Sequence, residues 1–244
     1  MILHMKGSYE IMRKFALALV IMLALSGNSA TASDVIYPAL GICTGNSVRL
    51  RESPGTDSEI VGKVNESDRL ILLGERKFRG DLWYAVDNPQ DEGTAWIIAR
   101  YVDIASEDGE RTPAVDIAIS VRMNFGVRPE KAKILLGKPR QNKRGKFFFE
   151  SANQDLSEET LTYKGCELRY VENNLRHVEV TDSGWRFDEF KIGDPQDKLI
   201  SDIGDPSDKA GNVWIYQITP IEAIEFTVKD GKIIKMEWTE YMDA

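Results

Sequence analysis

Two kinds of apolar patterning divide the chain. From Gly45 to Ile104, stretches of four or five alternating or apolar residues are separated by turn formers: Val48-Arg-Leu-Arg51, Ile60-Val-Gly-Lys-Val64, Leu70-Ile-Leu-Leu73, Trp83-Tyr-Ala-Val86 and Thr94-Ala-Trp-Ile97. Runs of this length with period-two alternation predict β-strands, and Ser53-Pro54-Gly55-Thr56 predicts a loop after the first of them. Five short strands with tight loops suit a small closed barrel over residues 38–104, because closure hides the strand edges. Residues 105–114 are polar and broken by Gly109 and Pro113, which predicts a linker.

Beyond the linker the pattern repeats. Gly126 to Pro139 aligns with Gly193 to Pro206, so that Lys131 falls on Lys198 and Leu136 on Ile203. Glu167 to Leu175 aligns with Glu225 to Ile233 at a shorter offset, which predicts an insertion between Pro139 and Tyr163 in the first copy. Asp194 can cap a helix with Pro195 in its first turn and Leu199, Ile200 and Ile203 on one face; Pro129 to Leu136 reads as its counterpart. Asn173-Asn174 and Gly231-Lys232 predict hairpin turns between alternating strands. Two-turn helices are unstable alone and must dock on the strands that follow them. The expected fold class is mainly β with α+β: the barrel, then two units of short helix plus antiparallel hairpin sheet over residues 115–182 and 183–244.

The N-terminal residues carry a different signal. Arg13-Lys14 precedes the apolar run from Phe15 to Leu25, and small residues end at Ala30-Thr31-Ala32. This is the pattern of a secretory signal peptide over residues 1–32, with Met12 as an alternative translation start. The run is shorter than the roughly 20 residues a membrane span needs, so no transmembrane segment is expected in the mature chain. Export to the periplasm, the cell wall or the extracellular space is the expected localisation. Loss of Lys6, Arg13, Lys14 and Glu10 with the leader takes the formal net charge from −8 to −10. Such an acidic protein is not expected to bind nucleic acid.

Candidate chemistry is sparse. Cys43 and Cys166 are the two cysteines; in an oxidising compartment they either pair as a disulfide or lie as separate buried thiols. His177 is the one histidine after the leader, on a strand position matched by Lys235, which predicts an outward, solvated ring. One histidine and two scattered cysteines leave no H-E-x-x-H or C-x-x-C arrangement, so no metal site, cofactor or catalytic residue is expected. Lys131, Lys133, Lys138, Arg140, Lys143, Arg144 and Lys146 form a basic run ahead of Phe147-Phe-Phe149. It reads either as a contact for an anionic envelope polymer or lipid surface, or as a solvated loop whose phenylalanines form a core strand. Trp83, Tyr84, Trp96 and Tyr101 are candidate ligand-binding aromatics, with most of them expected in the barrel core.

Val48-Arg-Leu-Arg-Glu-Ser-Pro-Gly55, Ile60-Val-Gly-Lys-Val64, Trp83-Tyr84, Ala95-Trp96-Ile97 and Tyr101-Val102, in this order, resemble a bacterial SH3 (SH3b) domain. The stretch from Gly74 to Leu82 departs from that family by reading as a longer, more basic loop with Arg76, Lys77 and Arg79. Short helix, Gly-x-Pro stop, tyrosine and hairpin together resemble BamE/SmpA-like envelope proteins and β-lactamase-inhibitor-like folds. The resemblance implies a non-catalytic exported binding or adaptor protein, its partners peptidoglycan or an envelope protein. A secreted inhibitor acting through the tandem units is the alternative, and a cell-wall hydrolase or its accessory a more distant one.

Overall fold

In a computed structural model, residues 35–104 and 111–242 are described, and those from Ile36 onward form one compact unit. The signal-peptide reading of residues 1–32 lies outside the described residues. The molecule is mainly β, with two antiparallel sheets.

The first sheet has seven strands: β1 (Ala39–Cys43), β2 (Val48–Arg51), β3 (Ile60–Val64), β4 (Arg69–Phe78), β5 (Asp81–Asp87), β6 (Thr94–Ile98) and β7 (Val102–Ile104), in the order β3-β2-β6-β5-β4-β1-β7. The five strands predicted from alternation are all present, and β1 and β7 extend them. β1 lies between β4 and β7, and a Cβ at Gly41 would stand 2.8 Å from Val102 and 2.9 Å from Leu72, so only glycine lets the three strands close up. Residues 74–82 are not a loop. They carry β4 on to Phe78 and into β5 through a tight turn at Arg79-Gly80, where φ is +50° and +90°.

The second sheet has eight strands: β8 (Gln141–Phe149), β9 (Gln154–Tyr163), β10 (Cys166–Val171), β11 (Asn174–Val180), β12 (Asp208–Ala210), β13 (Val213–Thr219), β14 (Glu222–Lys229) and β15 (Lys232–Glu240). Their order, β12-β13-β14-β15-β11-β10-β9-β8, is two four-strand meanders joined where β15 meets β11. The meanders share details. Pairing slips by one residue at Arg169/Tyr170 in one and at Thr227/Val228 in the other. Tyr163 donates to the Gly137 carbonyl and Tyr216 to the Gly204 carbonyl, each at 3.2 Å. The chain reverses at Glu172-Asn173 and at Asp230-Gly231, one residue earlier in each case than the turn predicted from sequence, with all four residues at positive φ. The β8–β9 hairpin far outreaches β12–β13 and accounts for the extra residues after Pro139.

Helices α1 (Pro113–Phe125), α2 (Pro129–Leu136) and α3 (Asp197–Asp202) complete the fold. α1 opens inside the segment read as a linker. Thr112 Oγ1 accepts from the Val115 amide at 3.4 Å and Pro113 stands in the first turn, where a missing N–H costs nothing. Ala114, Ile117, Ala118, Val121 and Phe125 then form one buried stripe at helical spacing and join Leu168, Tyr170, Val178, Met236 and Trp238 in the core. α3 differs from expectation: it starts at Asp197, and Asp194 accepts from the Lys191 amide at 3.2 Å instead of capping it. Leu199 is fully buried but Ile200 faces solvent, because six residues of helix present only one turn to the core.

A buried ionic cluster joins the two sheets through α1. Arg122 of α1 donates to Glu222 at 2.8 Å and to Glu240 at 3.1 Å; Glu240 also binds Arg69 of β4, and it accepts from Arg176 of β11 at 2.6 Å. Trp238 donates its indole N–H to Glu222 at 2.8 Å, and the Arg122 guanidinium lies 4.5 Å from the centre of the Trp238 ring. Around this cluster, Arg128 pairs with Asp68, Lys131 bridges Asp87 (2.9 Å) and the Asp91 carbonyl (2.8 Å), and the Arg69 amide donates to Asn174 (3.3 Å).

Burial favours the neutral form of Glu240, but Arg122, Arg69 and Arg176 outweigh it and hold the carboxyl below the usual range. The folded pKa therefore lies under the unfolded value of about 4.3, so the stabilisation is complete above that value and is lost as pH falls through the folded pKa. Glu240→Gln leaves three guanidiniums short of a counter-charge and is expected to destabilise the fold by about 3 kcal/mol at pH 7. Urea unfolding measures it, and the gap between wild type and variant is expected to narrow at strongly acidic pH.

Candidate functional site

Residues 52–58 leave β2 and fold back toward the far end of β4. The loop closes on itself through Ser53, whose amide and hydroxyl reach Ser58 Oγ at 3.0 and 2.9 Å, and through Arg51 Nη1, which donates to the Ser58 carbonyl at 2.5 Å. Gly55 sits at φ +131°, and a Cβ there would lie 2.9 Å from the Phe78 ring; glycine lets loop and ring touch. Between them is an open cleft of about 360 Å³ lined by Ser53, Pro54, Asp57, Ser58, Arg76 and Phe78. Arg79 closes one side by pairing with Asp57 at 2.9 Å. A backbone hydrogen bond within Asp57 and the Arg79 guanidinium hold that carboxyl below its usual value. Hydroxyls, one charge of each sign and an aromatic ring suit recognition of a short polar peptide.

None of the four aromatics expected to bind a ligand lines this cleft. Trp83 and Tyr84 are neighbours on β5, so they point to opposite sides, and both are buried, at 2% and 7% exposure. Trp96 is half-buried opposite Arg51, and Tyr101 is the one of the four with an open face, 40% exposed beside the Arg100 guanidinium. The sequence signal that marks the cleft, Arg76 and Phe78 at the end of an apolar run, was hidden by reading residues 74–82 as a loop.

The basic run divides between a buried position and exposed ones. Lys131 is 3% exposed at the contact with the first sheet. Lys133 of α2 (2.7 Å) and Arg144 of β8 (3.2 Å) share Glu159, and Lys146, also on β8 at the edge of the second sheet, pairs with Asp155 at 3.0 Å. The side chains of Lys138, Arg140 and Lys143 are exposed without a carboxylate partner among the described residues. Phe147 and Phe149 are half-buried and Phe148 is 53% exposed, so they do not form a core strand.

Cys43 of β1 and Cys166 of β10 are separate buried thiols. Burial raises the pKa of both, leaving protonated side chains that are poor nucleophiles and poor metal ligands at neutral pH. His177 is half-buried on the face of the second sheet opposite the helices, where its Nδ1 lies 2.9 Å from Thr239 Oγ1, so the solvated position expected from sequence is corrected. The ring gathers Glu179 and Glu237, with ligand atoms within 4.8 Å of one another, a cluster that was invisible in sequence because it spans β11 and β15. Lys235 already neutralises these carboxylates, at 2.6 Å from Glu237 and 3.7 Å from Glu179. Burial opposes the ammonium form of Lys235, but the surrounding glutamates outweigh it and raise the pKa. Along the same row, Glu167, Glu179, Glu237 and Glu225 stand in register on four adjacent strands.

The cleft loop and the strands β2, β3 and β4 around it fall within a recognised module. Residues 46–103 match the bacterial SH3 domain. No curated protein matches the chain. Among solved structures, the chain is similar to an extracellular protein containing an SCP domain from Bacillus anthracis str. Ames, at 9% identity and a TM-score of 0.30. The likeness covers 56% of this chain, and the chain spans 48% of that protein's length.

His177 tests the electrostatics of the open face. Burial, then Arg169, pushes its pKa below 6.5, so the ring is expected to be neutral at pH 7 and to gain its proton only in more acidic solution. With the leader removed His177 is the one imidazole, and its NMR titration should have a midpoint under 6.5; Arg169→Ala should move that midpoint upward.

Proposed function

We propose that the protein is an exported, non-catalytic binding or adaptor protein of the bacterial envelope, whose SH3 domain takes a cell-wall peptide or a segment of a partner protein in the cleft between residues 53–58 and Phe78. The observation that carries this reading is the cleft itself, lying in a segment matched by the bacterial SH3 family and offering Arg76, Asp57, two serine hydroxyls and Phe78 to one small volume. The absence of catalytic function is supported by the side chains. Both thiols are buried and held in the protonated form, and the imidazole is engaged with Thr239 beside a row of carboxylates and Lys235. On this reading the second sheet is built from two copies of one helix-and-meander unit, and the ionic cluster fixes the SH3 domain to it, so the cleft is presented in a set orientation. No helix of the described residues is long and apolar enough to cross a membrane.

Retention on purified sacculi tests the proposal, using the chain without residues 1–32 at low and high salt. Retention is expected, and Phe78→Ala or Arg76→Ala should weaken it about tenfold, the usual scale for an aromatic or arginine anchor. Without retention at either salt concentration, wall binding is wrong and the cleft is left to a protein partner. Equal retention of wild type and both variants removes the cleft from the reading.

A further inference from the structure

The overhanging end of the β8–β9 hairpin curls beside the polar face of the second sheet. Between them is a pocket of about 430 Å³, within the range of small-ligand sites. Its apolar wall is Phe147, Phe148, Phe149 and Val171, with Tyr241 from the residues after β15. Its floor carries two arginines with different surroundings. Arg176 donates to Glu240 through Nη1, as described above, while its Nε is also buried without a partner. Arg169, half-buried on β10, donates to no side chain or carbonyl among the described residues, and its Nε is shut off from solvent without a partner. The residues opposite it are Thr160 on β9 and His177 on β11, neither of which bears a negative charge.

The carboxylates near the pocket do not relieve Arg169. Glu240 is saturated by Arg69, Arg122 and Arg176. Glu150 stands exposed at the hairpin end, and Glu167, two residues along β10, makes no ion pair with Arg169. Of the charged side chains that line the pocket, Arg176 and Glu240 are already engaged with each other, which leaves Arg169 and the exposed Glu150. Arg169 thus lies under an aromatic wall with no ion pair among the described residues. A partly desolvated guanidinium without a counter-ion is an unfavourable arrangement that an anion would discharge, and its planar fork matches a carboxylate in two parallel hydrogen bonds.

We propose that this pocket binds a carboxylate attached to an apolar group, the carboxylate on Arg169 and the apolar part against Phe147, Phe149 and Tyr241. A peptide C-terminus with an apolar last residue and a free fatty acid both offer this chemistry. The site is separate from the SH3 cleft, so the two stand or fall independently.

Calorimetric titration of the chain without residues 1–32 tests it, using N-acetyl-alanyl-leucine, the corresponding C-terminal amide, and octanoate. The free acid is expected to bind and the amide to bind at least tenfold more weakly. Arg169→Ala should lose the same factor, Arg169→Lys should retain part of the affinity, and Phe149→Ala should weaken binding several-fold. Binding of octanoate alone keeps the proposal and assigns the ligand to lipid chemistry; binding of the dipeptide acid assigns it to a peptide end. A second measurement does not need a ligand. Because Arg169 has no partner to lose, Arg169→Met is expected to match or exceed the wild-type Tm. Equal affinity for acid and amide, no binding of either acid, or a fall in Tm for Arg169→Met would overturn the proposal.

Discussion

Glu240 is shared by three guanidiniums from three parts of the chain: Arg69 from the first sheet, Arg122 from α1 and Arg176 from β11. The carboxylate is 4% exposed, so none of these charges can fall back on water if the geometry slips. An apolar cluster of equal volume would hold the sheets together comparably well, but it would tolerate sliding and rotation. Charges at fixed distances do not, and here they set which side of the SH3 domain faces the second sheet.

Strands were legible from sequence wherever a local rule applied without competition. Alternation located β2, β3, β5 and β6, and internal similarity located α2 and both hairpins of the paired meanders. The failures share one physical cause, a residue with two structural meanings. Pro113 breaks a chain, yet at a first helical turn it begins one, and reading it as a breaker concealed α1 together with its buried stripe at Ala114, Ile117, Ala118, Val121 and Phe125. Arg76, Lys77 and Arg79 look like a solvated loop, yet a β-hairpin tip beyond the core carries the same residues. The candidate site was legible only as a family resemblance, because loop 52–58 and Phe78 meet through tertiary folding. His177, Glu179 and Glu237 likewise converge through strand register that no local pattern encodes.

The charged residues separate into those that complete the fold and those left over. Lys131, Lys133, Arg144 and Lys146 looked like one basic surface in sequence, and the structure distributes them to Asp87, Glu159 and Asp155. That pairing leaves Lys138, Arg140 and Lys143 exposed without a carboxylate partner among the described residues. Beside those three, the guanidinium of Arg169 and the exposed Arg76 beside Phe78 also lack an ion pair among the described residues.

The in-register glutamates of β10, β11, β15 and β14 have a consequence for how these molecules can meet one another. Adjacent strands lie about 4.8 Å apart, so the four carboxylates form a closely spaced line with Lys235 as the near counter-charge. A broad sheet with an uncovered face is ordinarily able to stack on a second sheet at about 10 Å. Stacking two copies through this face would bring two such lines together and strip water from both. The row thereby opposes lamination through the face that no helix of the described residues covers, and it keeps that face wet for whatever the neighbouring pocket receives.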